Sequence, residues 1–128
     1  MASPSDHPDA ASIRLERRGD LAVAVVAAPR NFDARTEDAT WGLIDAALRQ
    51  GVRGVVFDLT GTAYLSSSGL RVIVQTLHRK EAKSRIRLAA ARPAVAEVLR
   101  LARVDAMVSS RPTVAEALDE VFAAAADD

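Results

Sequence analysis

At 128 residues the chain has room for one ordinary domain and not for two. Its 17 basic side chains balance 17 acidic ones, so there is no cationic excess with which to displace counterions from a nucleic acid. The absence of cysteine excludes a disulfide framework and thiolate metal sites, and no apolar run approaches the ~20 residues that span a bilayer.

Met1 to Ser12 is polar, carries Pro4 and Pro8, and lacks the apolar stretch of a secretion signal. Residues 1–12 are expected to be a disordered tail and 13–124 the domain. Ile13 and Leu15 alternate with Arg14 and Glu16, the period of a half-buried strand. Arg18-Gly19-Asp20 supplies a turn, and the nearly continuous apolar run Leu21 to Ala27 completes a hairpin. Pro29 to Asp33 breaks the pattern. Trp41, Ile44 and Leu48 then recur at helical spacing until Gln50-Gly51.

Gly54 to Leu59 is apolar on both faces, as in a strand covered on two sides. A polar loop, Thr60 to Ser66, leads into a helix with Leu70, Ile73, Val74 and Leu77 on its inner stripe. Ile86 and Leu88 mark another strand. Pro93 opens a short helix with Val95, Leu99 and Ala102 inward, proline being favoured at that place. Ala106 to Ser109 reads as a short edge strand. Pro112 opens the last helix, whose inner set is Val114, Leu118, Val121 and Phe122. The alternation predicts a single α/β domain, a mixed sheet of four or five strands with about four helices. With one Trp, one Tyr and three Phe, its core is aliphatic. The clusters Arg79-Lys80 and Arg85 to Arg87 read as solvated faces.

The chemistry concentrates in Asp58 to Arg71, which joins the most buried strand to an amphipathic helix. Ser66, Ser67 and Ser68 stand where that helix begins. A serine at the N-cap accepts a bond from a first-turn N–H and contributes ~1 kcal/mol. Only one residue caps a helix, so capping accounts for Ser66 and leaves two serines over. Gly69 costs up to ~1 kcal/mol against alanine in a helix, which implies close backbone packing or an approaching partner. An anion on Ser67 is favoured by the free N–H groups and dipole of the helix start. A phosphate there adds about −1.5 to −2 charge and three acceptor oxygens, leaving the fold intact and disturbing whatever docks on that surface.

No catalytic set assembles around these serines. Ser66-Ser67-Ser68-Gly69 is not a Gly-x-Ser-x-Gly elbow. His7 lies in the expected tail, and His78 is roughly 16 Å along the helix from Ser67, far beyond the ~3 Å a nucleophile–base pair requires. No Lys follows Gly69 as a Walker-type loop demands, and two histidines without cysteine do not make a dedicated metal site. Glu37-Asp38 sits in the opening turn of the first helix, where acids favour the dipole. The reading is a non-enzyme without cofactor or metal.

These residues resemble the STAS family, specifically the anti-sigma-factor antagonists of bacterial partner switching. The family hallmark is a strand ending in Asp-Leu-Ser/Thr-Gly, a few loop residues, then Asp-Ser-Ser-Gly-Leu opening a helix. Asp58-Leu59-Thr60-Gly61 and Ser66-Ser67-Ser68-Gly69-Leu70 match it. The similarity runs from about Ile13 to about Phe122 and includes the family's Pro/Ser-x-x-x-Glu-Ala-Leu in Pro112 to Leu118.

The resemblance implies a cytoplasmic switch. A serine kinase of the histidine-kinase-like ATPase fold, often itself an anti-sigma factor, phosphorylates the serine that maps to Ser67, and a PP2C-type phosphatase reverses it. The unmodified form captures the kinase and so frees a sigma factor; ATP and any divalent ion belong to the kinase. Asp33 maps to an acidic residue before the first helix. With Thr60, Gly61, Thr62, Ser66, Ser68, Gly69 and Arg71 it would define the docking face. The hallmark Asp is Ser66 here. That removes a negative charge beside the acceptor and leaves Ser66 and Ser68 as competing positions behind Ser67. The alternatives are a non-switching STAS subunit of a transporter or other signalling assembly, and a small enzyme with Ser67 as nucleophile.

Overall fold

The structure, a computed structural model, describes residues 9–82 and 85–127. Of the expected tail, residues 1–8 lie outside the described residues, and Ser12 already belongs to a strand. β1 (Ser12–Arg18) and β2 (Leu21–Ala27) form the antiparallel hairpin. Gly19, at φ 60°, takes the first position of its two-residue loop, where a positive φ matches the twist of the flanking strands.

β4 (Val55–Asp58), β6 (Ile86–Ala89) and β7 (Ser110–Arg111) add in parallel, giving the mixed order β1-β2-β4-β6-β7. Four helices cover it: α1 (Glu37–Arg49), α2 (Ser67–Leu77), α3 (Pro93–Leu101) and α4 (Val114–Ala126). Successive residues of β2 point to opposite faces, so each side of the sheet has its own core. Ala24, Val26, Val55 and Phe57 pack with Ile44 and Leu48 of α1, Val72 and Ile73 of α2, and Val95 and Leu99 of α3. Val23, Val25 and Val56 pack with Ala117, Leu118, Val121 and Phe122 of α4. The mixed five-stranded sheet and the four helices agree with the sequence.

Several local expectations are corrected. Pro29 to Asp33 and Thr60 to Ser66 are not wholly irregular: β3 (Asn31–Phe32) and β5 (Tyr64–Leu65) pair in parallel, Asn31 with Tyr64 and Phe32 with Leu65. No strand runs from Ala106 to Ser109. Arg103, at φ 61°, leads out of α3 into a 3-10 turn, Val104–Ala106, that buries Val104 and then Val108. That four-residue spacing belongs to turns, not strands, and the edge strand begins at Ser110. Ala102 is exposed; Val104 fills the inward place.

Pro112 lies before the last helix, not in it. Thr113 is the N-cap and its Oγ1 accepts from the N–H of Glu116 at 3.1 Å, the first half of a capping box. Arg85 is no solvated face: it is 5% exposed, and its guanidinium donates to the carbonyls of Arg53 at 2.5 Å and Glu81 at 2.8 Å. Arg79 is held by Asp45 and Glu81, and Arg87 by Glu120.

The inner line of α2 is Gly69, Val72, Ile73 and Thr76, whereas Leu70, Val74 and Leu77 flank it half-buried. Gly69 is in that line because the helix start lies very close to β3 and β5, as shown below, and Thr76 is buried with its hydroxyl donated to the Val72 carbonyl at 2.8 Å.

Candidate functional site

β3 and β5 follow the carboxyl ends of β2 and β4, so their pairing brings the chain after each strand to one corner of the sheet. Asp58 closes β4 with an Asx turn: its Oδ1 accepts from the N–H of Thr60 at 3.0 Å and from its hydroxyl at 2.6 Å. The carbonyl of Thr60 in turn accepts from Arg92 Nε of the α3 N-cap at 3.0 Å. Gly61 is exposed and a Cβ there would meet nothing. Thr62, expected on the docking face, is fully buried and donates its hydroxyl to the carbonyl of Pro29 at 3.0 Å. It shapes the loop from within and offers no surface to a partner. Ala63 and Tyr64 both donate to the carbonyl of Arg30, and Ser66 to that of Phe32. The segment before α1 is thus the mould on which the serine loop is cast.

Ser66 is the N-cap of α2, with extended backbone (ψ 179°) and an Oγ that accepts from the N–H of Ser68 at 3.2 Å. Capping is therefore done by this serine, as the sequence argued. Ser67 is the first helical residue; it is exposed, and its hydroxyl makes no hydrogen bond to any described residue. Ser68 is half-buried. The cost of glycine at position 69 has a cause in packing. A Cβ would lie 2.5 Å from the carbonyl oxygen of Phe32 and 2.6 Å from Leu65 Cδ1, closer than real Cβ contacts come. Only glycine lets α2 start this near β3.

Asp33 directly follows β3, next to Phe32, whose carbonyl accepts from the N–H of Ser66 at 3.0 Å. Its carboxylate is engaged: Oδ1 accepts from the N–H of Arg35 at 3.0 Å, and Oδ2 pairs with Arg35 Nη2 at 3.2 Å. Burial pulls its pKa upward, but the Arg35 hydrogen bonds and charge prevail and hold it below the usual carboxylate value. Arg71 is exposed on α2 and its Nη1 donates to Glu37 Oε2 of α1 at 2.9 Å.

The structure therefore brings Asp33, Thr60, Gly61, Ser66, Ser67, Ser68, Gly69 and Arg71 to one corner and withdraws Thr62 beneath it. Sequence reasoning took Glu37 only for a helix-start acid and not for the partner of Arg71, and it missed Phe32, Tyr64 and Arg92. Of these only Tyr64, 55% exposed one strand residue before Leu65, carried a signal: a lone large aromatic in a polar loop. Among the described residues no group of His, Asp and Glu is arranged to hold a metal ion, and no helix is long and apolar enough to cross a membrane.

Solved structures share this architecture. An anti-sigma factor antagonist from Mycobacterium paratuberculosis is 24% identical, with 95% of this chain and 99% of that one covered at a TM-score of 0.71. A putative anti-sigma factor antagonist from Thermotoga maritima is 23% identical, covering 86% and 94%, at 0.72. The Bacillus cell fate determinant SpoIIAA in its phosphorylated form is 18% identical, covering 86% and 99%, at 0.61. A search of curated protein sequences returns no match. The STAS-domain profile matches residues 12–117, from the first strand into the last helix. With the sheet order, the paired β3–β5 ribbon and the serine-capped α2 in place, the chain belongs to the STAS domain family.

Proposed function

We propose that the chain is an anti-sigma-factor antagonist of a bacterial partner-switching pathway, working in the cytoplasm as a binding protein and not as an enzyme. In its unmodified state it binds an anti-sigma factor that is also a serine kinase of the histidine-kinase-like ATPase fold. Phosphorylation of Ser67 releases it, and a PP2C-type phosphatase restores it. The observation that carries this reading is the exposed hydroxyl of Ser67, left over when Ser66 takes the capping role. Its place at the first turn of α2 lets the scaffold tolerate a dianion, while a surface shaped for a neutral hydroxyl does not. The likeness to antagonists that include a phosphorylated relative supports the same reading.

Incubation with the cognate kinase and ATP, followed by phosphosite mapping, is expected to place phosphate on Ser67. Calorimetry is expected to show Ser67→Asp binding the kinase at least tenfold more weakly, a loss of about 1.4 kcal/mol, with an unchanged circular dichroism spectrum. Absence of phosphate from Ser66 to Ser68 overturns the switch. A permanent dock in a transporter assembly would instead tolerate Ser67→Ala without loss of regulation.

A further inference from the structure

Arg71 stands four residues beyond Ser67 on α2, so the two side chains share one helix face with Cβ atoms about 5–6 Å apart. Its guanidinium is tethered from α1, where Glu37 Oε2 accepts from Nη1 at 2.9 Å. The anchoring carboxylate is 16% exposed and the arginine 60% exposed. The cation is thus fixed at one nitrogen and open at its others, which make no hydrogen bond to any described residue.

Resting on the reading of Ser67 as the modified residue, we infer that Arg71 is the internal receiver of the Ser67 phosphate, held ready by Glu37. An acid four residues before a base is the favourable order on a helix. A guanidinium fork matches phosphate oxygens in pairs and does so better than an ammonium. The tether from Glu37 reduces the side-chain freedom lost when the pair forms. Modification then alters the docking face twice over: a dianion is added, and a cation that faced solvent is turned onto it. The phosphate leans along α2 toward α1, not outward toward a partner.

The test uses the full chain with phosphoserine installed at position 67 during synthesis, which makes it independent of any kinase. The phosphate is titrated by phosphorus NMR. Other charges gathered at this corner are Glu37 and Asp38 of α1, Asp33 and Arg35 before it, and Asp58 and Arg92 at the loop; all stay constant across the variants. The second phosphate pKa is expected to fall below its value in a short unstructured peptide, about 6, by roughly half a unit to one unit from the helix start and the Arg71 pair together. Arg71→Gln is expected to return at least half of that shift, and Arg71→Lys to keep part of it, with circular dichroism unchanged in both. Equal phosphate pKa values with Arg71 and with glutamine in its place overturn the inference. Failure of the switch shows separately, as an ATPase partner that binds the phosphorylated and unmodified chains alike.

Discussion

A methyl group on Gly69 has nowhere to go: the Phe32 carbonyl and the Leu65 side chain would lie 2.5 and 2.6 Å from it, and one of the two is backbone. Alanine gains about 1 kcal/mol of helix propensity over glycine, yet here overpacking of about 1–3 kcal/mol opposes it. Gly69→Ala is therefore expected to lower stability in urea unfolding, and because β3 is displaced, to weaken partner binding as well. The neighbouring serines separate by role. Ser66→Ala removes the cap and is expected to cost about 1 kcal/mol, whereas Ser67→Ala, with no bond to lose, should stay within about 0.5 kcal/mol. Equal losses at the two positions would show that the exposed hydroxyl is structural and would weaken its reading as a switch.

Helix α4 covers the sheet face opposite α2, and its own small core can be damaged without touching the serine corner. Phe122 is 5% exposed, packs with Val23, Val25 and Val56, and carries the Arg18 guanidinium over its ring at 4.5 Å. Phe122→Ala is expected to cost about 3–5 kcal/mol by chemical unfolding, while the affinity of the folded fraction for its partner is unchanged. A large affinity loss in protein shown to be folded would mean that the two faces are coupled. Local periodicity made β1, β2, β4, β6 and all four helices legible, because each has enough residues to show its period. The β3–β5 pairing was not legible: it joins two-residue strands some thirty positions apart, and no local pattern records a register. The inner line of α2 was legible only at Ile73, and for a different reason: Gly69, selected by close approach to β3, and Thr76, whose hydroxyl is satisfied by the Val72 carbonyl, do not look apolar. The serine row and its cap could be read because capping is local chemistry. The Glu37–Arg71 tether could not, because it depends on how α1 and α2 pack.

Across the whole molecule, a net charge of zero conceals clusters in which arginines and carboxylates bind elements together. Arg79 after α2 reaches Asp45 of α1 at 2.5 Å and Glu81 at 2.8 Å. Glu120 of α4 accepts from Arg87 of β6 at 2.8 Å and pairs with Arg111 of β7. The Arg79 hydrogen bond, then that of Arg49, holds the Asp45 carboxyl below its ordinary value. Arg79 does the same for Glu81, and Arg111 followed by Arg87 for Glu120. Each carboxyl is thus more acidic folded than unfolded, so the unfolded chain binds more protons as the medium is acidified. The stabilisation is complete above the ordinary values of 3.8 for Asp and 4.5 for Glu, and is lost as pH falls through the depressed ones. The urea midpoint is expected to be level from neutrality to about pH 5 and to decline below it. Glu120→Gln removes one such group, so its midpoint should be lower at neutral pH and fall less steeply in acid. High salt should narrow the gap between the two chains, because these pairs are partly solvated and are screened. An acid limb of the same slope in both chains would mean that the Arg87–Glu120–Arg111 cluster contributes nothing to holding α4 against β6 and β7.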